Sequence, residues 1–152
     1  LQKVLATASS LSSDLAFDDR PLLFVTIINE AFQELTMNWM CNVQPFERVL
    51  NRTLIIAGSK RVCERIGREY NEVSCVVLSL PSSFNGHFEG KSEHRREFTA
   101  FRMHIIERIA SAGINFLYFD PDSLWLRDPS DLLRNTTERD VDIVIGEAWN
   151  QI

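Results

Sequence analysis

The most constraining feature of this chain is a series of short apolar runs that alternate with stretches of helical periodicity. Leu22 to Ile28, Thr53 to Ala57, Val73 to Leu80, Ile114 to Phe119 and Val141 to Ile145 are each of strand length. Continuous apolar runs of this kind suit strands buried on both faces, as in a parallel sheet. Helical patterns fill the gaps. Asn29 is a fitting N-cap, Glu30 follows it at the positive helix end, and Phe32, Leu35, Trp39 and Val43 recur at helical spacing before Pro45. Lys60 to Tyr70 carries Val62, Ile66 and Tyr70 on one face. His94 to Ala112 carries a stripe of Phe98, Phe101, Ile105, Ile109 and Ala112, and Gly113 is a C-cap signal. A short helical turn is expected near Ser130 to Leu133. The alternation predicts an α/β fold, a mostly parallel sheet with helices on both faces.

The chain has 152 residues and shows neither an internal repeat nor a second boundary. It reads as one domain over 21–152, preceded by an N-terminal arm over 1–20, helical or irregular, that Ser9, Ser10, Ser12 and Ser13 loosen. A hydrophobic content of 45% excludes a disordered chain. A formal charge of −5 argues against general nucleic-acid binding, which needs a basic face. No window reaches the roughly 18 apolar residues of a membrane span. Cys41, Cys63 and Cys75 form no CxxC pair, which argues against zinc. Burial on a helix face or in a strand is expected for each, ahead of a disulfide. Two sequons, Asn51-Arg52-Thr53 and Asn135-Thr136-Thr137, suggest a lumenal glycoprotein whose membrane anchor lies outside this sequence.

In parallel sheets ligands bind beyond the carboxyl ends of the strands. That rule selects Thr26 and Asn29, Gly58, and Asp120 to Ser123. Asp120-Pro121-Asp122 directly follows the run Asn115 to Phe119. Two carboxylates one residue apart can converge on a hard cation such as Mn or Mg, with a diphosphate completing its shell. The cation would neutralise charge on a departing diphosphate. A bare DxD is otherwise a common solvated turn. A second chemistry also fits DxDxS. Asp120 would be the nucleophile of a haloacid-dehalogenase-type phosphatase and Asp122 its general acid. That motif normally follows the first strand and needs a downstream Lys, and no Lys follows Lys91. The phosphatase reading therefore ranks second.

The DxD block Ala112 to Pro129 (AGINFLYFDPDSLWLRDP) resembles the nucleotide-diphospho-sugar transferase family, which includes plant cell-wall xylosyltransferases and animal homologues. Leu23 to Phe32, Leu35 to Asn42, Asn51 to Ala57 and Asp140 to Ile145 are similar to its other segments, so the likeness spans residues 21–147. The resemblance implies a Rossmann-like GT-A fold and a glycosyltransferase. It also implies Mn, a nucleotide-sugar donor and a glycan or glycoprotein acceptor. The expected setting is the Golgi lumen, as part of a single-pass type II membrane protein. Family members continue into an acceptor-binding half that often supplies a His ligand, and Glu147 stands where Asp is common. The expectation is thus a donor-binding half, truncated at the C-terminus. Without turnover, it would be an inactive nucleotide-sugar-binding fragment.

Site assignments follow. Asp120 and Asp122 are the metal pair, with Asp122 the direct ligand and Asp120 reaching ribose or sugar hydroxyls. Thr26 and Asn29 would bracket base and ribose, and Asn29 serves equally as a helix N-cap. Arg102 stands near where the resemblance suggests a basic residue that pairs with the donor or with the first Asp; a solvated Arg is the alternative. Arg95 and Arg96 read as surface charge. His87, His94 and His104 read as structural or exposed. Trp125 reads as packing beneath the site, and Arg127-Asp128-Pro129 as a turn.

Overall fold

The computed structural model of the chain describes residues 1–14, 22–46, 48–81, 84 and 93–129. Its elements run α1 (Gln2–Asp14), β1 (Leu23–Ile28), a 3-10 turn (Glu30–Phe32), α2 (Gln33–Val43), a 3-10 turn (Leu50–Arg52) and β2 (Thr53–Ala57). Then follow α3 (Lys60–Glu69), β3 (Ser74–Val77), α4 (Glu93–Ser111) and β4 (Phe116–Tyr118). The four strands form one all-parallel sheet in the order β3-β2-β1-β4. This is the predicted α/β class, consistent with a GT-A Rossmann-like fold.

Strand alternation divides the core into two layers. Leu23, Val25, Ile27, Leu54, Ile56 and Val76 pack with Val4 and Ala8 of α1 and Phe98, Ile105 and Ile109 of α4. Phe24, Ile28, Ile55 and Ala57 point the other way, toward Trp39, Met40 and Val43 of α2 and Val62 and Ile66 of α3. All residues of β1 and β2 are buried, as their continuous apolar runs require. The helix signals act as read. Asn29 Oδ1 accepts the Phe32 N–H at 3.3 Å, and Gly113 takes φ +72° at the end of α4.

Several details differ from the sequence reading. The N-terminal arm takes the helical form of the two read for it, and what the reading did not give is its packing: Val4 and Ala8 are fully buried against the sheet and α4. On α2 the buried stripe is Thr36, Met37, Trp39, Met40 and Val43, and Leu35 is exposed. The 3-10 turn ahead of α2 rotates the helix away from a face continuous from Phe32. Ala112 lies beyond the end of α4 and is exposed. β3 is shorter than its apolar run: Ser74 to Val77 pair with β2, and one further bond, from Leu78 N to Ala57 O at 2.9 Å, closes the ladder.

Cysteine burial is corrected most. Cys63 of α3 and Cys75 of β3 form a disulfide with Cα atoms 5.4 Å apart, and Cys41 is exposed. Chain spacing does not report that distance; the packing of α3 on β3 creates it. Among the described residues β4, the strand that leads into Asp120, is an outer strand of the sheet. The expected strand Val141 to Ile145, the turn near Ser130, Glu147, His87 and the second sequon lie outside the described residues. No helix among the described residues is long and apolar enough to cross a membrane.

Candidate donor-binding site at the end of β4

β4 runs beside β1, and its ladder extends past both ends. Leu23 N donates to Asn115 O at 3.1 Å, and Phe119 N donates to Val25 O at 3.1 Å. Side chains then alternate: Leu117 and Phe119 join the α2–α3 layer, and Phe116 and Tyr118 join the α1–α4 layer. The next step of the alternation turns Asp120 toward α4. There Arg102 forms an ion pair with Asp120 Oδ1. The Tyr118 hydroxyl donates to the same oxygen at 3.2 Å. The Arg102 guanidinium also lies over the Tyr118 ring, 5.0 Å from its centroid, and 5.7 Å from that of Phe98. Arg102 is thus seated on two rings and aimed at one carboxylate.

The backbone then turns sharply. Ser123 N donates to Asp120 O at 3.1 Å, with Pro121 at the position where its fixed φ favours a β-turn. Ser123 Oγ donates to the same carbonyl at 2.7 Å, and Trp125 Nε1 donates to Ser123 Oγ at 3.2 Å. Asn42 of α2 holds the next stretch from both sides. Its Nδ2 donates to Trp125 O at 3.1 Å, and its Oδ1 accepts Trp125 N at 2.9 Å. The Trp125 ring meets Trp39, Phe119 and Phe24 edge-on with centroids 5.1–5.2 Å apart, and Trp39 stacks on Phe119 at 4.3 Å. Trp125 therefore packs beneath the turn, as read from sequence.

A cleft of about 480 Å³ opens beside this turn, on the α4 side. Arg95, Thr99, Arg102 and Ile106 line it from α4, and Phe32, Tyr118, Asp120 and Asp122 line it opposite. The structure thus unites Arg102, Asp120 and Asp122. It does not bring Thr26 to them. Thr26 is fully buried, on the strand parity of Phe24 and Ile28, and its hydroxyl finds no hydrogen-bond partner among the described residues. Asn29 is fully buried too, and its Nδ2 donates to Phe84 O at 2.6 Å. It caps a turn and also ties Phe84 to the sheet.

Sequence reasoning missed Phe32, Tyr118, Thr99 and the cleft position of Arg95. One signal could have found the α4 residues. Arg95, Thr99, Arg102 and Ile106 are spaced four, three and four apart, which is one helix face. His94 and His104 are exposed and lie near Glu97 and Glu107, away from any ligand cluster.

The two carboxylates differ in what they have left to offer. Asp120 already satisfies Arg102 and Tyr118 with one oxygen. Asp122 is exposed, with no hydrogen-bond or ion-pair partner among the described residues. No group of three His, Cys, Asp or Glu that could hold a metal occurs among those residues. Two acidic groups still fit a hard cation whose other ligands come from a diphosphate.

An open parallel α/β sheet with a cleft and paired acids past a strand's carboxyl end has its candidate site where proteins of this α/β class bind ligands. The sequence model of the nucleotide-diphospho-sugar transferases matches residues 48–148, and the chain belongs to that family. No curated protein and no solved structure matches it. The family is one of glycosyltransferases, and nothing supports the phosphatase alternative.

Proposed function

We propose that this chain forms the donor-binding part of a metal-dependent glycosyltransferase, taking a nucleotide-diphosphate sugar in the cleft beside α4. The observation that carries this reading is the Arg102–Asp120–Tyr118 constellation, set next to the uncommitted carboxylate of Asp122. Arg102 and Tyr118 hold Asp120 in one orientation, suited to accept hydrogen bonds from ribose or sugar hydroxyls. Asp122 is the direct ligand for Mn or Mg. A bound divalent cation would offset the charge of the diphosphate as it departs. Asn29 acts from beneath by fixing the turn that carries Phe32. Thr26, buried as it stands, supports the end of β1. The acceptor is a glycan or glycoprotein.

The proposed setting is the Golgi lumen, with a type II membrane anchor elsewhere in the protein. The Cys63–Cys75 bridge supports it, because such bonds persist in oxidising compartments. Calorimetry with uridine and guanosine diphosphates tests the site. Binding should be weak alone and at least tenfold tighter with Mn, a difference of about 1.4 kcal/mol. Equal affinity with and without Mn sinks the metal bridge. Tight binding with no sugar transfer marks the chain as a binding fragment.

A further inference from the structure

We propose that Asn51 carries an N-linked glycan, attached before the segment around it folds. The inference rests on the lumenal setting above and adds a modified residue to it. Asn51-Arg52-Thr53 has the acceptor form, with a residue other than Pro in the middle. Asn51 is exposed in the 3-10 turn Leu50–Arg52, and its side chain makes no hydrogen bond to any other described residue. It is therefore free to bear a bulky substituent in the folded state.

Position supplies a second argument. Thr53 opens β2 and stands opposite Phe24, at the amino end of the parallel sheet. Asp120 and the cleft lie beyond the carboxyl ends. A glycan on Asn51 leaves the donor entrance clear. The disulfide agrees with that lumenal setting. A Cys63–Cys75 bridge suits an oxidising compartment, the kind in which such glycans are added.

The order of events follows from Thr53. Its side chain is fully buried, and its hydroxyl donates to Val49 O at 2.8 Å. The transferase must engage that hydroxyl, so the sequon is readable only while unfolded. In the step, Asn51 Nδ2 attacks C1 of a lipid-diphosphate-linked oligosaccharide. An N–C1 bond forms and the C1–O bond to the diphosphate breaks. The lipid diphosphate leaves with the electron pair, and one amide proton passes to a base of the transferase.

The test directs the chain, with Asn135→Gln to silence the second sequon, into the secretory pathway of a eukaryotic cell. N-glycosidase in heavy-oxygen water, followed by peptide mapping, should label position 51. Asn51→Gln should remove the label and the accompanying mobility shift; Thr53→Ser should keep both. Position 51 unlabelled in the lumenal chain overturns the proposal. A second arm offers folded, oxidised chain made in bacteria to microsomal transferase and lipid-linked oligosaccharide. The folded chain should stay unmodified at position 51, and the reduced, unfolded chain should be modified. Equal modification of both overturns the proposed order. Neither readout involves a nucleotide or a metal, so a chain that is glycosylated but binds no donor defeats only the donor-site reading.

Discussion

The two faces of the sheet do different jobs with different chemistry. The α2–α3 face is closed by Trp39, Phe119, Trp125 and Phe24, by the two-way Asn42 bracket and by a disulfide. The α4 face has an aliphatic floor, but near the end of β4 it opens into a cleft lined by arginines and acids. One short strand serves both, since its alternating side chains send Phe119 to the first face and Asp120 to the second. Core packing and cleft lining are thus separated by a single residue. Substitutions on the closed face should cost stability, and those in the cleft should cost binding.

The largest effect expected is from Trp39→Ala. Trp39 is 2% exposed and touches both Phe119 and Trp125, so its loss should cost about 3–5 kcal/mol in denaturant unfolding. A loss under about 1 kcal/mol would mean that the closed face does not carry the turn. Replacing Cys63 and Cys75 together by Ala should come next. The bridge spans 12 residues, and freeing a loop of that size should cost about 2–3 kcal/mol. Nucleotide affinity of the folded fraction should stay within about twofold, which a titration of the variant can check.

Asp122→Asn should invert that pattern. Unfolding free energy should move by less than about 0.5 kcal/mol, as for other exposed positions. Mn-dependent nucleotide binding should fall at least tenfold, about 1.4 kcal/mol. A variant that binds the Mn–nucleotide pair like the parent chain would refute the assignment of Asp122. Tyr118→Phe should act more weakly. It removes one hydrogen bond to Asp120 and keeps the ring under Arg102, so affinity should drop roughly threefold at nearly constant stability. A large stability loss instead would make Tyr118 part of the support.

The smallest effect belongs to Glu34. Its hydrogen bonds with Arg65 hold its carboxyl below the usual carboxylate range, and attraction to that guanidinium adds to them. A lowered value means that the pair contributes above the ordinary carboxylate pKa and is lost as pH falls through the lowered one. Both side chains are solvent-accessible, so the change should be slight. Carbon-detected NMR should show Glu34 titrating low in the parent and returning to the ordinary range in Arg65→Met.

Much of the fold was readable because it depends on local rules. β2 matches its apolar run residue for residue, Asn29 caps where its type and place required, and Gly113 ends α4 with positive φ. The position of Asp120 and Asp122, just past a strand and beside a cleft, was readable from the apolar run that precedes them. Arg102 meeting Asp120 followed from the family resemblance and is seen in the ion pair. Other features depend on contacts between distant segments, which spacing does not encode. The disulfide needs α3 docked on β3, and the exposure of Leu35 follows from a 3-10 turn ahead of α2. Tyr118 as a partner of Asp120 arises from the path of the strand's end. Thr26 has the right place in the chain for a ligand contact, but its strand parity turns it into the opposite layer.

The Asn42–Trp125 bracket joins residues 83 positions apart, and that separation sets a timetable for synthesis. Translation at about 5–20 residues per second delivers Trp125 roughly 4–17 s after Asn42. During that interval Trp39 and Phe24 await the last ring of their cluster, and the nascent chain presents a greasy hollow to its surroundings. This is a window in which a chaperone has something to hold. A ribosome stalled just short of the codon for Trp125 would display that hollow, and one stalled well beyond it would have closed it.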